Sequence, residues 1–153
     1  MNSIDRFRMR WAYLGLVNDL RPDTFVTLTT NDAMSVGRFK RKIKDFFGRF
    51  DRIYLGPRWI KMPFKLRTDG IGFIEHKNSN IHAHFALCTP PNAYLWNIKI
   101  HTEKYWGKIC PSGSHDVQMI SGALGLTGYN TKEQIRDDYD WHDQVILLSD
   151  FAS

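Results

Sequence analysis

Apolar positions recur along this chain at two spacings, and the switches between them mark out the elements. From Ile4 to Leu20, aromatic and aliphatic residues sit among charges and predict an opening helix. Arg21-Pro22-Asp23 stops it, because proline lacks the amide hydrogen a continuing helix needs. Phe25-Val26-Thr27-Leu28-Thr29-Thr30 then alternates apolar and β-branched residues, the pattern of a half-buried strand. Ser35 is a candidate N-cap for a helix to about Phe50, whose apolar positions Val36, Phe39, Ile43, Phe46, Phe47 and Phe50 fall at steps of three and four. Gly56 and Pro57 mark a loop, and Lys65 to Lys77 holds one or two further strands. Asn78-Ser79-Asn80 predicts a turn, with Ile81 to Cys88 as a paired strand. Pro90 and Pro91 end that strand, and Asn92 to Trp106 suits another helix. A short strand, Asp116 to Ile120, leads through Gly122, Gly125 and Gly128 to Tyr129 and a last, polar helical segment. With no internal repeat or long linker, residues 1–153 read as a single α+β domain: an antiparallel sheet with helices on one face and the other face free for a site.

Composition narrows the partner. The 153 residues are 42% hydrophobic and 24% charged, a globular balance, with a net charge of +5. The charge is unevenly spread. Between Val36 and Arg67, eleven basic residues stand against Asp45 and Asp51 alone, a local net charge of +9, while the remainder is net acidic. Interleaved with Phe39, Tyr54 and Trp59, that stretch suits a polyanion backbone and stacked, unpaired bases; a solvated helix face is the plainer alternative. Cys88 and Cys110 lack C-x-x-C spacing, which argues against a disulfide framework or a cysteine zinc site and points to a reducing cytoplasm. The longest apolar runs fall far short of the roughly 20 residues a membrane span needs. The charged segment Met1 to Arg10 does not resemble a secretory signal.

The sharpest chemical signal is Ile81-His82-Ala83-His84-Phe85. On a strand, residues two apart share a face, so the imidazoles of His82 and His84 project together, about 7 Å apart at the backbone, and can converge on one divalent ion. Ile81, Ala83 and Phe85 then face the core. Hairpin pairing across Asn78-Ser79-Asn80 brings Glu75 near one of the two histidines. A Glu-His-His set leaves coordination positions open for water and a phosphate oxygen. A surface pairing of Glu75 with Lys77 or Arg67 is the alternative. His76 points to the opposite face if its strand stays regular, and ranks as a reserve ligand. A second signal is Gly128-Tyr129-Asn130-Thr131-Lys132-Glu133. On a helix, Tyr129 and Lys132 stack at i and i+3, where the ammonium eases formation of the phenolate. Tyr139, within Asp137-Asp138-Tyr139-Asp140, sits in a negative local field that disfavours its phenolate and reads as structural.

Taken in order, the strand at 25–30, Glu75 with His82-x-His84, and Tyr129-x-x-Lys132 resemble the three-motif layout of the HUH endonucleases, specifically the single-tyrosine rolling-circle replication initiators of plasmids and mobile elements. The resemblance covers about residues 25–134. It implies a five-stranded antiparallel sheet (HUH/RRM-like) with the histidine pair on a central strand, and Mg²⁺ or Mn²⁺ polarising a scissile phosphate of single-stranded DNA. It further implies a tyrosine that forms a 5′-phosphotyrosine and frees a 3′-hydroxyl, which later rejoins the strand. Carried over, His82, His84 and Glu75 are the metal ligands, Tyr129 the nucleophile and Lys132 its helical partner, with Glu133 competing with Glu75 for the third ligand position. Candidate DNA contacts are Thr27, Thr29, Arg38, Lys42 and Arg49, with a host helicase as a candidate partner. Replication, conjugative transfer and transposition share such a site. A non-catalytic single-strand-binding module and a water-activating phosphohydrolase are the rivals from other classes.

Overall fold

The structure is a computed structural model that describes residues 1–120 and 138–151. Its elements are α1 (Ser3–Leu20), β1 (Thr24–Thr29), α2 (Val36–Leu55), β2 (Asp69–Glu75), β3 (His82–Cys88), α3 (Leu95–Ile109), β4 (Ser114–Met119), the one-turn α4 (Trp141–Gln144) and β5 (Val145–Leu147), with 3-10 turns at Trp59–Lys61, Phe64–Leu66 and Leu148–Phe151. The strands form one antiparallel sheet in the order β4-β1-β3-β2-β5. The fold class is therefore the α+β arrangement expected, and the histidine pair lies on the central strand. Among the described residues no helix is long and apolar enough to cross a membrane.

α2 begins where Ser35 caps it, its side chain accepting from the Arg38 N–H at 3.2 Å. It outruns the expected end at Phe50 by more than a turn, where Tyr54 continues the inward-facing stripe and packs on Phe50 with centroids 5.0 Å apart. That stripe (Phe39, Ile43, Phe46, Phe47, Phe50) meets Trp106 of α3 and the inward residues Val26, Leu28, Ile74, Ala83, Phe85 and Leu87 of the sheet. The Phe85 ring packs edge-on to Phe47, with centroids 5.1 Å apart, and lies across β2 at Gly72. A β-carbon on Gly72 would come within 2.2 Å of that ring, so the position admits only glycine without repacking. Full burial of each aromatic ring is worth about 1.5–3 kcal/mol, and this cluster is the main core.

The second sheet face is not wholly free, in contrast to the expectation from sequence. α2 and α3 share one face, but α1 lies on the other, where Val17 and Tyr13 join Phe25, Ile71, Phe73, Ala86, Trp141 and Val145. Tyr13 stacks on Trp141 at 5.3 Å and meets Phe73 edge-on at 6.3 Å. α1 carries apolar residues around much of its circumference, so it buries one stripe and leaves Ile4, Phe7 and Trp11 exposed. Thr27, Thr29, His82 and His84 stay half-buried at the other end of the same face.

Candidate metal centre

Register assembles the site. Glu75, the last residue of β2, pairs directly with His82, and Phe73 pairs with His84; on the other side of β3, Thr27 pairs with His84 and Thr29 with His82. Alternation then places Thr27, Thr29, His82, His84 and Glu75 on one face, while Ile81, Ala83 and Phe85 enter the core as expected. One carboxylate oxygen, Glu75 Oε2, stands 3.2 Å from His82 Nε2 and 3.3 Å from His84 Nε2. Glu75 is buried, with 8% of its surface exposed. Burial by itself raises its pKa, but the hydrogen bonds and charges of His82 and His84 outweigh burial and hold the carboxyl down at about 2.

The outer atoms of both rings are fixed as well. His82 Nδ1 lies 2.9 Å from the Asn80 carbonyl oxygen, which can only accept, so Nδ1 donates and neutral His82 carries its lone pair on Nε2. His84 Nδ1 lies 2.9 Å from Thr27 Oγ1. Both rings thus turn Nε2 toward an anionic oxygen. For neutral rings with a lone pair at Nε2, such contacts require a cation, either a proton or a metal ion, to be favourable. Among the described residues, the ligand atoms close enough together for one metal ion are those of Glu75, His82 and the neighbouring His76, while His84 Nε2 meets the same Glu75 oxygen. Two imidazoles and a carboxylate on one side leave the remaining positions open, and this mixture of nitrogen and oxygen suits Mn²⁺ better than the harder Mg²⁺.

His76 departs from the sequence expectation. β2 ends at Glu75, and His76 takes φ 53°, in the left-handed region, so its side chain is not flipped to the opposite face as in a regular strand. Its ring lies 4.8 Å from that of His82. Ligand atoms of Glu75, His76 and His82 all fall within 4.8 Å of one another. A cleft of about 210 Å³ opens alongside, lined by His76, Lys77, Asn78, Ser79, Asp138, Tyr139 and Gln144. Tyr139 is buried against Trp141, with centroids 5.1 Å apart, and its hydroxyl donates to the Gln144 carbonyl at 3.4 Å, in keeping with a structural role.

Tyr129, Lys132 and Glu133 lie outside the described residues. The expected DNA contacts divide. Thr27 and Thr29 flank the histidines, with the Thr27 hydroxyl engaged by His84. Arg38, Lys42 and Arg49 sit on α2, across the sheet from the metal centre. Lys42 Nζ donates to the Ile109 carbonyl at 2.8 Å and so caps α3, and Arg49 pairs with Asp45 at 2.9 Å. Sequence reasoning missed the Thr27–His84 contact, the Asn80 carbonyl and the approach of His76 to His82. The first was readable only with the β1–β3 register in hand; a histidine directly after a strand and before Asn-Ser-Asn was the one available hint for the last. No protein-family model, curated protein or solved structure matches this chain.

Proposed function

We propose that this protein is a metal-dependent endonuclease that nicks and rejoins single-stranded DNA through a tyrosine, of the kind that initiates rolling-circle replication of a plasmid or mobile element. The observation that carries the reading is the single carboxylate oxygen of Glu75 met by Nε2 of both His82 and His84 at the half-buried end of their sheet face. Imidazole and carboxylate donors gathered there with open positions suit binding of a phosphate oxygen, and the +9 stretch at 36–67 suits a polynucleotide.

A bound Mn²⁺ or Mg²⁺ would polarise the scissile phosphate and offset the charge that builds on it. Glu75, His82 and His84 would hold that ion, while Asn80 and Thr27 orient the two rings. Tyr129 supplies the phenolate oxygen, which bonds to phosphorus as the bond to the 3′-oxygen breaks. The 5′-phosphotyrosine and free 3′-hydroxyl that result conserve the energy of the phosphodiester, so attack by a 3′-hydroxyl restores the strand and the tyrosine. Lys132, one helical turn from Tyr129 in the sequence reading, favours the phenolate.

The test is incubation with end-labelled single-stranded DNA and Mn²⁺, followed by denaturing electrophoresis. The expected result is a covalent adduct that disappears with chelator, with Tyr129→Phe and with Glu75→Ala. Cleavage without an adduct indicates water as the nucleophile, and retarded DNA without cleavage indicates a binding module; either result overturns the proposal.

A further inference from the structure

A second groove lies at the other end of the molecule. It has a volume of about 420 Å³, within the range of small-ligand sites, and forms between α2, the turns at Trp59–Lys61 and Phe64–Leu66, and the turn at Leu148–Phe151. It adjoins Thr68, at the start of β2, whereas the metal centre is at Glu75, at the end of β2 and on the opposite face. Seven residues of strand put the two about 23 Å apart along β2.

Its walls divide by chemistry. Phe47, Trp59, Phe64, Leu148 and Phe151 make an apolar lining, and Lys44, Arg49, Arg52 and Arg67 stand around it with Asp45, which is paired to Arg49. The far wall is held in place: the Arg67 guanidinium lies over the Trp59 ring, 5.6 Å from its centroid, and donates to the carbonyls of Ile60 and Met62. Trp59 lies against α2 at Gly48, where a β-carbon would make ordinary contact with the ring at 3.5 Å. Asp51 also lines the groove, nearly buried at 5% exposure. The Thr68 N–H and hydroxyl both donate to its Oδ1, at 2.8 and 2.6 Å. Oδ2 has no hydrogen-bond partner among the described residues.

We infer that this groove is a second nucleotide subsite, which takes an amino-bearing base (cytosine, adenine or guanine) of the bound single strand and holds the adjoining phosphates on Arg52 and Lys44. Aromatic walls suit a base, a cationic rim suits its phosphates, and a carboxylate oxygen only accepts, so it pairs with the N–H groups of a base and not with its carbonyls. Thymine presents one N–H between two carbonyl oxygens, and those oxygens repel the carboxylate. This inference rests on the nucleic-acid reading above but not on cleavage.

The test is fluorescence anisotropy of the full chain with labelled oligonucleotides of about 10 nucleotides, in EDTA so that no cleavage proceeds. Oligo(dC) should bind about tenfold more tightly than oligo(dT), a single base preference of ordinary size. Asp51→Asn should abolish that preference. Arg52→Glu, a change at an exposed position, should weaken oligo(dC) binding about tenfold and make its dependence on salt shallower, by about one ion for each phosphate that Arg52 neutralises. If Asp51→Asn does not fold, the dC-to-dT ratio of the natural protein and Arg52→Glu still decide. Equal affinity for the two oligonucleotides, or natural affinity in Arg52→Glu, overturns the inference. Failure of the nickase reading shows separately, as absence of the covalent adduct with Mn²⁺.

Discussion

Replacing Glu75 by glutamine keeps the size of the side chain and a carbonyl oxygen but removes the charge between two imidazoles. The carboxyl is held at about 2 in the folded protein against an ordinary 4.5. At about 1.4 kcal/mol per pH unit, the difference contributes about 3–4 kcal/mol to stability. The sign follows from the depressed value. As pH falls, the unfolded chain protonates Glu75 first, so the contribution is complete above pH 4.5, declines as pH drops through the folded value near 2, and is gone below it. Urea unfolding followed by circular dichroism, in EDTA from pH 2 to 5.5, should therefore give a gap between natural protein and Glu75→Gln that opens with pH to about 3–4 kcal/mol. In a chain of this length that gap corresponds to a melting difference of about 6–16 °C. At pH 7.5, Mn²⁺ at 100 times its dissociation constant should add about 2.7 kcal/mol to the natural protein and nothing to the variant. A gap that is flat across pH 2–5.5 refutes the electrostatic account, and an equal Mn²⁺ shift in both proteins refutes Glu75 as a ligand.

Three further outcomes are expected. Thr27→Val, which removes the partner of His84 Nδ1, should weaken Mn²⁺ binding about tenfold or more by isothermal titration while leaving the urea midpoint within about 1 kcal/mol of natural stability. Gly72→Ala should cost about 2–3 kcal/mol in urea unfolding, because its β-carbon meets the Phe85 ring at 2.2 Å; a neutral result would mean that Phe85 does not lie across β2. The Cys88 thiol is pushed up to about 11 from 9.0, by burial first and then by Asp23 and Asp69. Its thiolate population at pH 8 is thus about 100-fold below that of an ordinary cysteine. Mass spectrometry should find Cys88 alkylated by iodoacetamide more slowly than a free thiol by at least that factor.

Local pattern along the chain sufficed for the elements that own a strong period. α2 is legible because Phe39, Ile43, Phe46, Phe47 and Phe50 repeat at helical spacing behind a serine cap, and β3 because core and site residues alternate through His82-Ala83-His84-Phe85. β5, three residues long, carries too few positions to show a period, and its place beside β2 is a matter of long-range pairing. α1 was legible as a helix but not as a lid, since apolar residues around its circumference do not say which stripe finds the sheet.

The same division runs through the site. By itself the sequence determined that two imidazoles share a strand face and that a carboxylate lies across a short turn, because both follow from the two-residue period of a strand and the reach of a hairpin. Only the tertiary structure decided that one Glu75 oxygen lies between both Nε2 atoms, that Thr27 holds His84, and that exposed His76, on a left-handed backbone, comes beside His82. It alone separated the basic helix from the metal centre, on opposite faces of the sheet, and brought Asp51, Thr68, Trp59 and Phe151 into one groove. Those relations depend on strand register and on which sheet face each helix covers, quantities that belong to the whole packed core and to no local stretch of chain.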